Sequence, residues 1–511
     1  MHIMNIKLSN TTLLIIFSLL PIIFALSFFQ DPLYYNNQNT YFAHGLAGTG
    51  FLNNDWFINT TDPFPVFSGL VKVVAMTLGE SGFHFIYLII LAIFAYSILG
   101  IAAIIYGFKK TGLQYWLLFI ITTAIYSGLV AKIHYLFSAD GPLTTGVAMQ
   151  SVLSSNFQPS SFGVFILLSI YLFLRDKPIL AIICLAIAPS FHSTYLLCSA
   201  AVTIAYVLIT YNKTKDYRKA LFLGVLSLVL VLPIVSYNLV NFSPTTPESS
   251  HQAQSILVDS RIPHHAKISQ WFDKWSFFRI ALSVTALYLV RKSQLFLIIL
   301  VPLITAVGLS LVQLATKNYG LALLFPWRIS VLLVPIASII VLAGTLSFIF
   351  KRLDGITAKN GDMIRLALIV PILLMGVFGI RQFMTLMSLP RSGVNPMSTF
   401  IASIAQGQDT FLAPIELGTL RLAARVPVFV DYKSHPYKDT EFLEWFDRIN
   451  ISKNIYDPNH LDNACNALTD IAKKYAITDV VWPTSHPIQN CTLLHEIYQD
   501  PDYVVYALSK S

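Results

Sequence analysis

Three carboxylates, Asp31, Asp55 and Asp62, stand in a polar stretch that begins soon after the first apolar run. Residues 31–68 read DPLYYNNQNTYFAHGLAGTGFLNNDWFINTTDPFPVFS and add His44, several side-chain amides and a run of aromatics. A carboxylate in a partly apolar setting has a raised pKa and can take a proton from a hydroxyl, so each of the three is a candidate catalytic base. Asp55 precedes Trp56-Phe57, which would supply that setting and a flat face on which a substrate ring could stack. Asn37, Gln38 and His44 are candidate substrate-binding groups, although amides cannot act as a base. Asn-Asp and Asp-Pro also form turns, so capping is the competing role for Asp55 and Asp62.

A second set could bind phosphate. Arg328 lies in Phe325-Pro326-Trp327-Arg328, inside an apolar run. A cation there is costly unless it meets a partner or a cavity, and phosphate is a natural ligand for a guanidinium. Arg261-Ile262-Pro263-His264-His265 could take a phosphate, a diphosphate or a metal, or be a solvated loop. Adjacent histidines are a weak metal signal, since helical ligands are spaced by three or four. Lys132 and His192 fall at the ends of apolar runs and are further candidates for substrate contact. Near the C-terminus, Arg421, Arg425, Pro427, Asp431, Lys433, Ser434 and His435 crowd around a β-like run, with Arg425 and Lys433 as candidate binding groups.

Long apolar runs must position these groups. The chain has 511 residues, 55% hydrophobic and only 12% charged, against about 25% charged for soluble domains. Apolar runs at 13–29, 84–107, 114–131, 161–174, 178–190, 193–210, 219–238, 276–290, 294–315, 321–349 and 366–386 predict about eleven spanning helices. The split of 178–210 rests on Pro189 and the polar cluster around His192.

Basic residues alternate between the two sets of connections. Lys7, Lys109, Lys110, Arg175, Lys177, Lys213, Arg218, Arg291, Lys351 and Arg352 fall on one side. The positive-inside rule makes that side, and the N-terminus, cytoplasmic. The net charge of +8 is then largely a topology signal, and no nucleic-acid motif accompanies it. The long connections 30–83, 132–160 and 239–275 and the region after 386 face outward. A multi-pass protein of a bacterial inner or plasma membrane is the expectation.

After 386 the pattern shortens. β-like runs at 410–413, 426–431, 477–482 and 503–508 and amphipathic helices at 440–449 and 461–475 predict a small extracytoplasmic α/β domain, 387–511, beside a transmembrane domain, 1–386. Of four cysteines, Cys184 and Cys198 fall in apolar runs. Cys465 and Cys491 could pair in an oxidising compartment or remain two thiols. No Walker, HExxH, Ser-elbow or dinucleotide-binding sequence is present, which argues against a cytoplasmic nucleotide-sugar donor.

With these residues in place, the chain resembles the GT-C superfamily of membrane glycosyltransferases, which take sugars from polyprenyl-phosphate donors. Tyr41, Gly45 and Leu46 match the short helix of that family's first outer loop, Asp55 its later aspartate, and Asp62-Pro63-Phe64-Pro65 its Pro-rich segment. The Arg-x-Pro-strand-Asp-x-Lys run from Arg425 to Lys433 resembles its outer domain. The family's acidic pair is here Asn37-Gln38, so either another aspartate takes its role or the chemistry differs. The resemblance implies a polyprenyl-phosphate-linked sugar and membrane lipids as partners, with a divalent cation as a candidate cofactor and no nucleic acid. A polysaccharide polymerase or ligase using Arg and His, and a lipid or solute transporter, are the alternatives.

Overall fold

Uninterrupted apolar stretches become helices because hydrocarbon offers no partner to an open backbone N–H or C=O. The computed structural model describes residues 10–110, 112–127, 143–488 and 491–509. Lys132, with its neighbours His134 and Asp140, lies outside the described residues. By contacts the chain divides into two compact units. The first comprises residues up to Gln30, His84–Ser236 and Gln254–Ser388; the second comprises Asp31–Phe83, Tyr237–Ala253 and Leu389–Ser511. The loop 31–83, grouped by sequence with the membrane helices, thus falls in the same unit as the C-terminal region.

The first unit is a helical bundle. Every apolar run named above overlaps a helix, and six of the described helical stretches, two of them including 3-10 turns, are long and apolar enough to cross a membrane: Ser81–Tyr106, Ser193–Thr214, Tyr217–Asn241, Leu295–Thr316, Tyr319–Arg352 and Leu366–Ser388. Leu113–Tyr126, Pro159–Leu174 and Pro178–Phe191 are shorter apolar helices. The chain is a multi-pass membrane protein. Helix Asn10–Ser27 packs along Asp354–Ser388, Lys274–Leu289 along Ser330–Arg352, and Leu196–Thr214 along Leu295–Thr316. The break in 178–210 comes at His192, whose backbone is extended. Pro189 lies inside the preceding helix rather than at the turn.

The second unit carries a four-stranded sheet. β1 (Phe411–Leu412) pairs in parallel with β2 (Asp479–Pro483), which pairs antiparallel with β4 (Tyr503–Leu508), and β3 (Leu494–Gln499) closes the edge, giving the order β1-β2-β4-β3. Helices Asp439–Ile455 and Leu461–Tyr475 accompany it. Cys465 and Cys491 form a disulfide, Cα atoms 5.4 Å apart, that ties the second helix to the approach to β3.

Two expectations change. β3 was not foreseen, because LHEIYQ is an exposed edge strand without a clear apolar alternation. Residues 426–431 are not a full strand: only Val428 bridges to Phe411. The Pro427 carbonyl and Phe429 N–H do pair with Phe411, but Val428 N–H goes to Asp55 and, just before the segment, the Arg425 carbonyl accepts from Phe51 N–H. That last contact needs Gly50. Its φ is +57°, and a Cβ there would sit 2.5 Å from the Arg425 Cβ, so both conformation and space demand glycine.

Asp479, at the start of β2, is buried. Loss of water pushes its carboxyl up to about 6, against the hydrogen bond from Thr478 Oγ1 and helped by the charge of Asp409. An acid whose folded pKa exceeds its unfolded value of about 3.9 adds stability that is complete below pH ~4 and is lost as pH rises through about 6. Thermal unfolding between pH 4.5 and 7.5 is therefore expected to show the Asp479→Asn chain gaining on the wild type by about 1–2 kcal/mol as pH rises. Parallel pH profiles for the two would contradict this.

Candidate functional site

In the first unit, the sequence Asn318 to Ile329 cannot run as one helix, because Pro326 lacks an N–H and restricts the residue before it. The chain forms a short helix, Tyr319–Leu323, passes through Phe325 in the left-handed region (φ 47°), and makes a 3-10 turn, Pro326–Ile329, before Ser330–Arg352 resumes. The loop 143–158 packs on that turn. Val147 N–H donates to Ser330 Oγ at 2.8 Å, and Ser330 Oγ donates to the Trp327 carbonyl at 2.6 Å. Ala148 and Met149 are also left-handed, with φ of 56° and 53°. Bulky or β-carbon-bearing residues in this region store strain, which clusters at functional sites.

Arg328 is the centre of this strained region. It is 8% exposed, donates from Nη1 to Gln150 Oε1, and lies over the Tyr195 ring, 4.8 Å from its centroid. Among the described residues its buried Nε and Nη2 have no hydrogen-bond partner. The indole Nε1 of Trp327 beside it is likewise unpartnered. Tyr195 is fixed by donation to the Ser160 carbonyl at 2.7 Å, and His192 is buried within electrostatic reach of Arg328, its Nδ1 2.9 Å from Thr194 Oγ1. A guanidinium cannot shed its proton at any accessible pH. Two desolvated donors on a permanent cation have the chemistry to meet an anion with two oxygens to offer.

The segment Arg261–His265 belongs to the same unit. It follows a π-helical turn, Leu257–Arg261. His265 Nδ1 donates to the carbonyl of left-handed Ala148 at 2.7 Å, so this segment braces the loop that carries Gln150. His264 is exposed and its ring is 4.1 Å from that of His265. Asp259 holds Lys267 at 2.7 Å and Tyr319 Oη at 3.0 Å.

In the second unit the aspartates part ways. Asp55 is wholly buried, and its carboxylate is spent on folding. Oδ2 accepts from Arg421 Nε and from Val428 N–H, each at 2.8 Å, and Oδ1 accepts from Ile58 N–H at 3.2 Å. Arg421 also pairs with Asp431, which accepts from the N–H groups of Lys433 and Ser434. Burial alone would lower the Arg421 pKa, but the two carboxylates outweigh it and raise it.

Asp62 is part-exposed. Oδ1 accepts from Phe64 N–H at 2.8 Å in an Asx turn, while Oδ2 has no hydrogen-bond partner among the described residues. Its position is set from three sides. Glu441 accepts from Thr61 N–H and Thr61 Oγ1, Tyr237 Oη donates to the Asp62 carbonyl at 2.6 Å, and Phe64 packs edge-on against Tyr41 and Tyr437. His44 donates from Nε2 to the Thr60 carbonyl at 3.2 Å. Burial holds its ring below the usual imidazole range, against the opposing charge of Asp62.

The remaining candidates are scattered. Asp31 is half-buried. Gln38 is buried and accepts from the backbone N–H of left-handed Tyr34 at 2.7 Å, which makes it a turn clamp; Asn37 precedes it as a helix cap. Trp56 is covered by Arg448, 4.1 Å from the ring centroid. Arg425 reaches Glu80 and Tyr34 Oη, each at 2.8 Å. The Lys433 carbonyl accepts from Thr40 Oγ1. Trp445 is buried and donates to the Asp431 carbonyl. Among the described residues no group of three His, Cys, Asp or Glu side chains is gathered for a metal.

Sequence reasoning missed Gln150, Tyr195 and Arg279. Arg279 is buried within Lys274–Leu289 on one stripe with Ser276 and Ser283. It carries the same signal as Arg328, a cation in an apolar run. Gln150 and Tyr195 carry no local signal, because their meaning comes from a partner far along the chain.

A family model described as a domain of unknown function (DUF6798) matches residues 393–451, which include Arg421, Arg425, Asp431 and Lys433. No curated protein matches the chain. Among solved structures it is similar to the archaeal oligosaccharyltransferase AglB from Archaeoglobus fulgidus, in complex with an inhibitory peptide and a dolichol-phosphate. The identity is 11%, the match covers 93% of this chain and 69% of that one, and the TM-score is 0.48.

Proposed function

We propose that the chain is a membrane glycosyltransferase that moves a sugar from a polyprenyl-phosphate donor to a lipid, glycan or protein acceptor on the extracytoplasmic face. The observation that carries this reading is Arg328, a buried cation within an apolar run, two of whose nitrogens are unpartnered among the described residues. A phosphate on a lipid tail is an anion that reaches such a depth, and Arg328 is assigned to bind it. The disulfide of the second unit suits an oxidising compartment and so an outward position.

Asp62 is assigned the role of base. Its carboxylate has an uncommitted oxygen and a position fixed by its neighbours. Asp55 is instead assigned to positioning, since each of its oxygens is already hydrogen-bonded. The test uses wild-type and Asp62→Asn protein in liposomes with a panel of labelled polyprenyl-phospho-hexoses and -pentoses and membrane-extracted acceptor. The wild type should release polyprenyl phosphate, and Asp62→Asn should lose on the order of 10²-fold or more in rate. No release by the wild type from any donor would overturn the transferase reading. Full turnover by Asp62→Asn would remove the carboxylate role and favour a ligase that works with the braced histidine and arginine segment, 261–265.

A further inference from the structure

The helix Pro65–Thr77 is apolar on two sides. Phe67, Val71 and Val74 are buried within its own unit, packed toward His44–Leu46. The opposite stripe, Val66, Val73 and Met76, continues into Leu78, and these four are 43%, 57%, 77% and 58% exposed. A helix face washed by water is polar. Here Lys72 is the one charged side chain in the helix.

The end of this helix is tied to a spanning one. Gly79 (φ +66°) turns the chain, and a Cβ on Gly82 would lie 2.6 Å from the Leu78 Cβ and 2.9 Å from Val74 Cγ1. Its last turn therefore packs directly on the first turn of Ser81–Tyr106. That 26-residue helix is about 39 Å long at 1.5 Å per residue, more than the ~30 Å hydrocarbon core, so a span centred in the bilayer puts its first turn at headgroup depth.

We infer that Pro65–Thr77 lies along the bilayer surface, with Val66, Val73, Met76 and Leu78 seated among the acyl chains of the leaflet that Ser81 reaches. Lys72 extends its stem along that face and keeps its ammonium among the headgroup phosphates. The occupant is lipid because the exposed stripe runs on through Leu78 to the turn packed on a membrane helix. Asp62 lies three residues before Pro65, so the bilayer sets the depth of Asp62.

The test places a nitroxide at Val73→Cys or Met76→Cys in the full chain, with Cys184→Ala and Cys198→Ala, in phosphatidylcholine–phosphatidylglycerol vesicles. Collision with oxygen should exceed collision with a water-soluble nickel chelate at both sites, while a label at the exposed Gln408→Cys should show the reverse. Preference for nickel at 73 and 76, or shielding from both reagents, would overturn the inference in favour of water or a protein partner. A benzophenone amino acid at position 76 needs no cysteine replacement. It should yield adducts to lipid, and adducts only to protein would count against the proposal.

Discussion

Replacing Arg421 with methionine is expected to unfold the packing around Asp55 and Asp431. The guanidinium sits between two carboxylates, with all three side chains at most 1% exposed. Removing one partner of a buried ionic group leaves uncompensated charge, at a cost of about 3–5 kcal/mol, and here two carboxylates are stranded at once. Domains have only about 5–15 kcal/mol to lose. Thermal unfolding and limited proteolysis of the full chain in detergent, reading cleavage within 393–451, measure the effect. The coupling has its own signature. Asp55→Asn and Arg421→Met should be strongly non-additive, with an interaction energy above about 1 kcal/mol. Wild-type stability in Arg421→Met would mean that the three side chains do not hold the fold. One consequence concerns Asp55: an Asp55 variant that lacks activity says nothing about catalysis until its stability is known.

Arg328→Gln is expected to do the opposite, costing function without costing fold. In the wild type the desolvated charge has, among the described residues, one side-chain hydrogen bond and one aromatic face to compensate it. Burying a charge that is not fully compensated is costly, and a neutral amide in its place removes that cost. In the absence of donor, Arg328→Gln should therefore unfold no lower than the wild type. Its loss should fall on affinity for the phosphate. Deleting one member of a buried, hydrogen-bonded charge pair costs about 2–5 kcal/mol, or roughly 30- to several-thousand-fold in binding. Arg328→Lys should recover little of it, because an ammonium lacks the two-pronged geometry. A large drop in ligand-free stability for Arg328→Gln would make the residue structural.

The contrast between these two arginines shows what a sequence can reveal. Arg328 stands out locally, as a cation amid Leu, Phe, Trp and Ile two residues after a proline, and bilayer physics makes that pattern meaningful before any fold is known. The spanning helices were legible for the same reason. Arg421 has no such signature. Its partner Asp55 lies 366 residues away, and nothing near Asp55 distinguishes a carboxylate that takes up protons from one already filled by a guanidinium and two backbone N–H groups. Gln38 misleads in the same way, since its amide could have met a hydroxyl but holds the left-handed turn at Tyr34. Asp62 keeps an open oxygen because the turn it starts uses only the other one. The grouping of 31–83 with the C-terminal region was hidden too, because it depends on long-range pairs such as Arg421 with Asp55 and Arg425 with Glu80.

A lipid phosphate held by Arg328 should make the protein's melting temperature depend on that lipid. Purified full-length wild type and Arg328→Gln would be unfolded with increasing polyprenyl monophosphate, and with polyprenol of the same chain length. A ligand that binds only the folded state stabilises by about 2.7 kcal/mol at 100 times its Kd. The wild type should rise with polyprenyl monophosphate and not with polyprenol, and Arg328→Gln should rise with neither. Equal stabilisation of both proteins by the phosphate, or of the wild type by polyprenol and phosphate alike, would contradict phosphate recognition at Arg328.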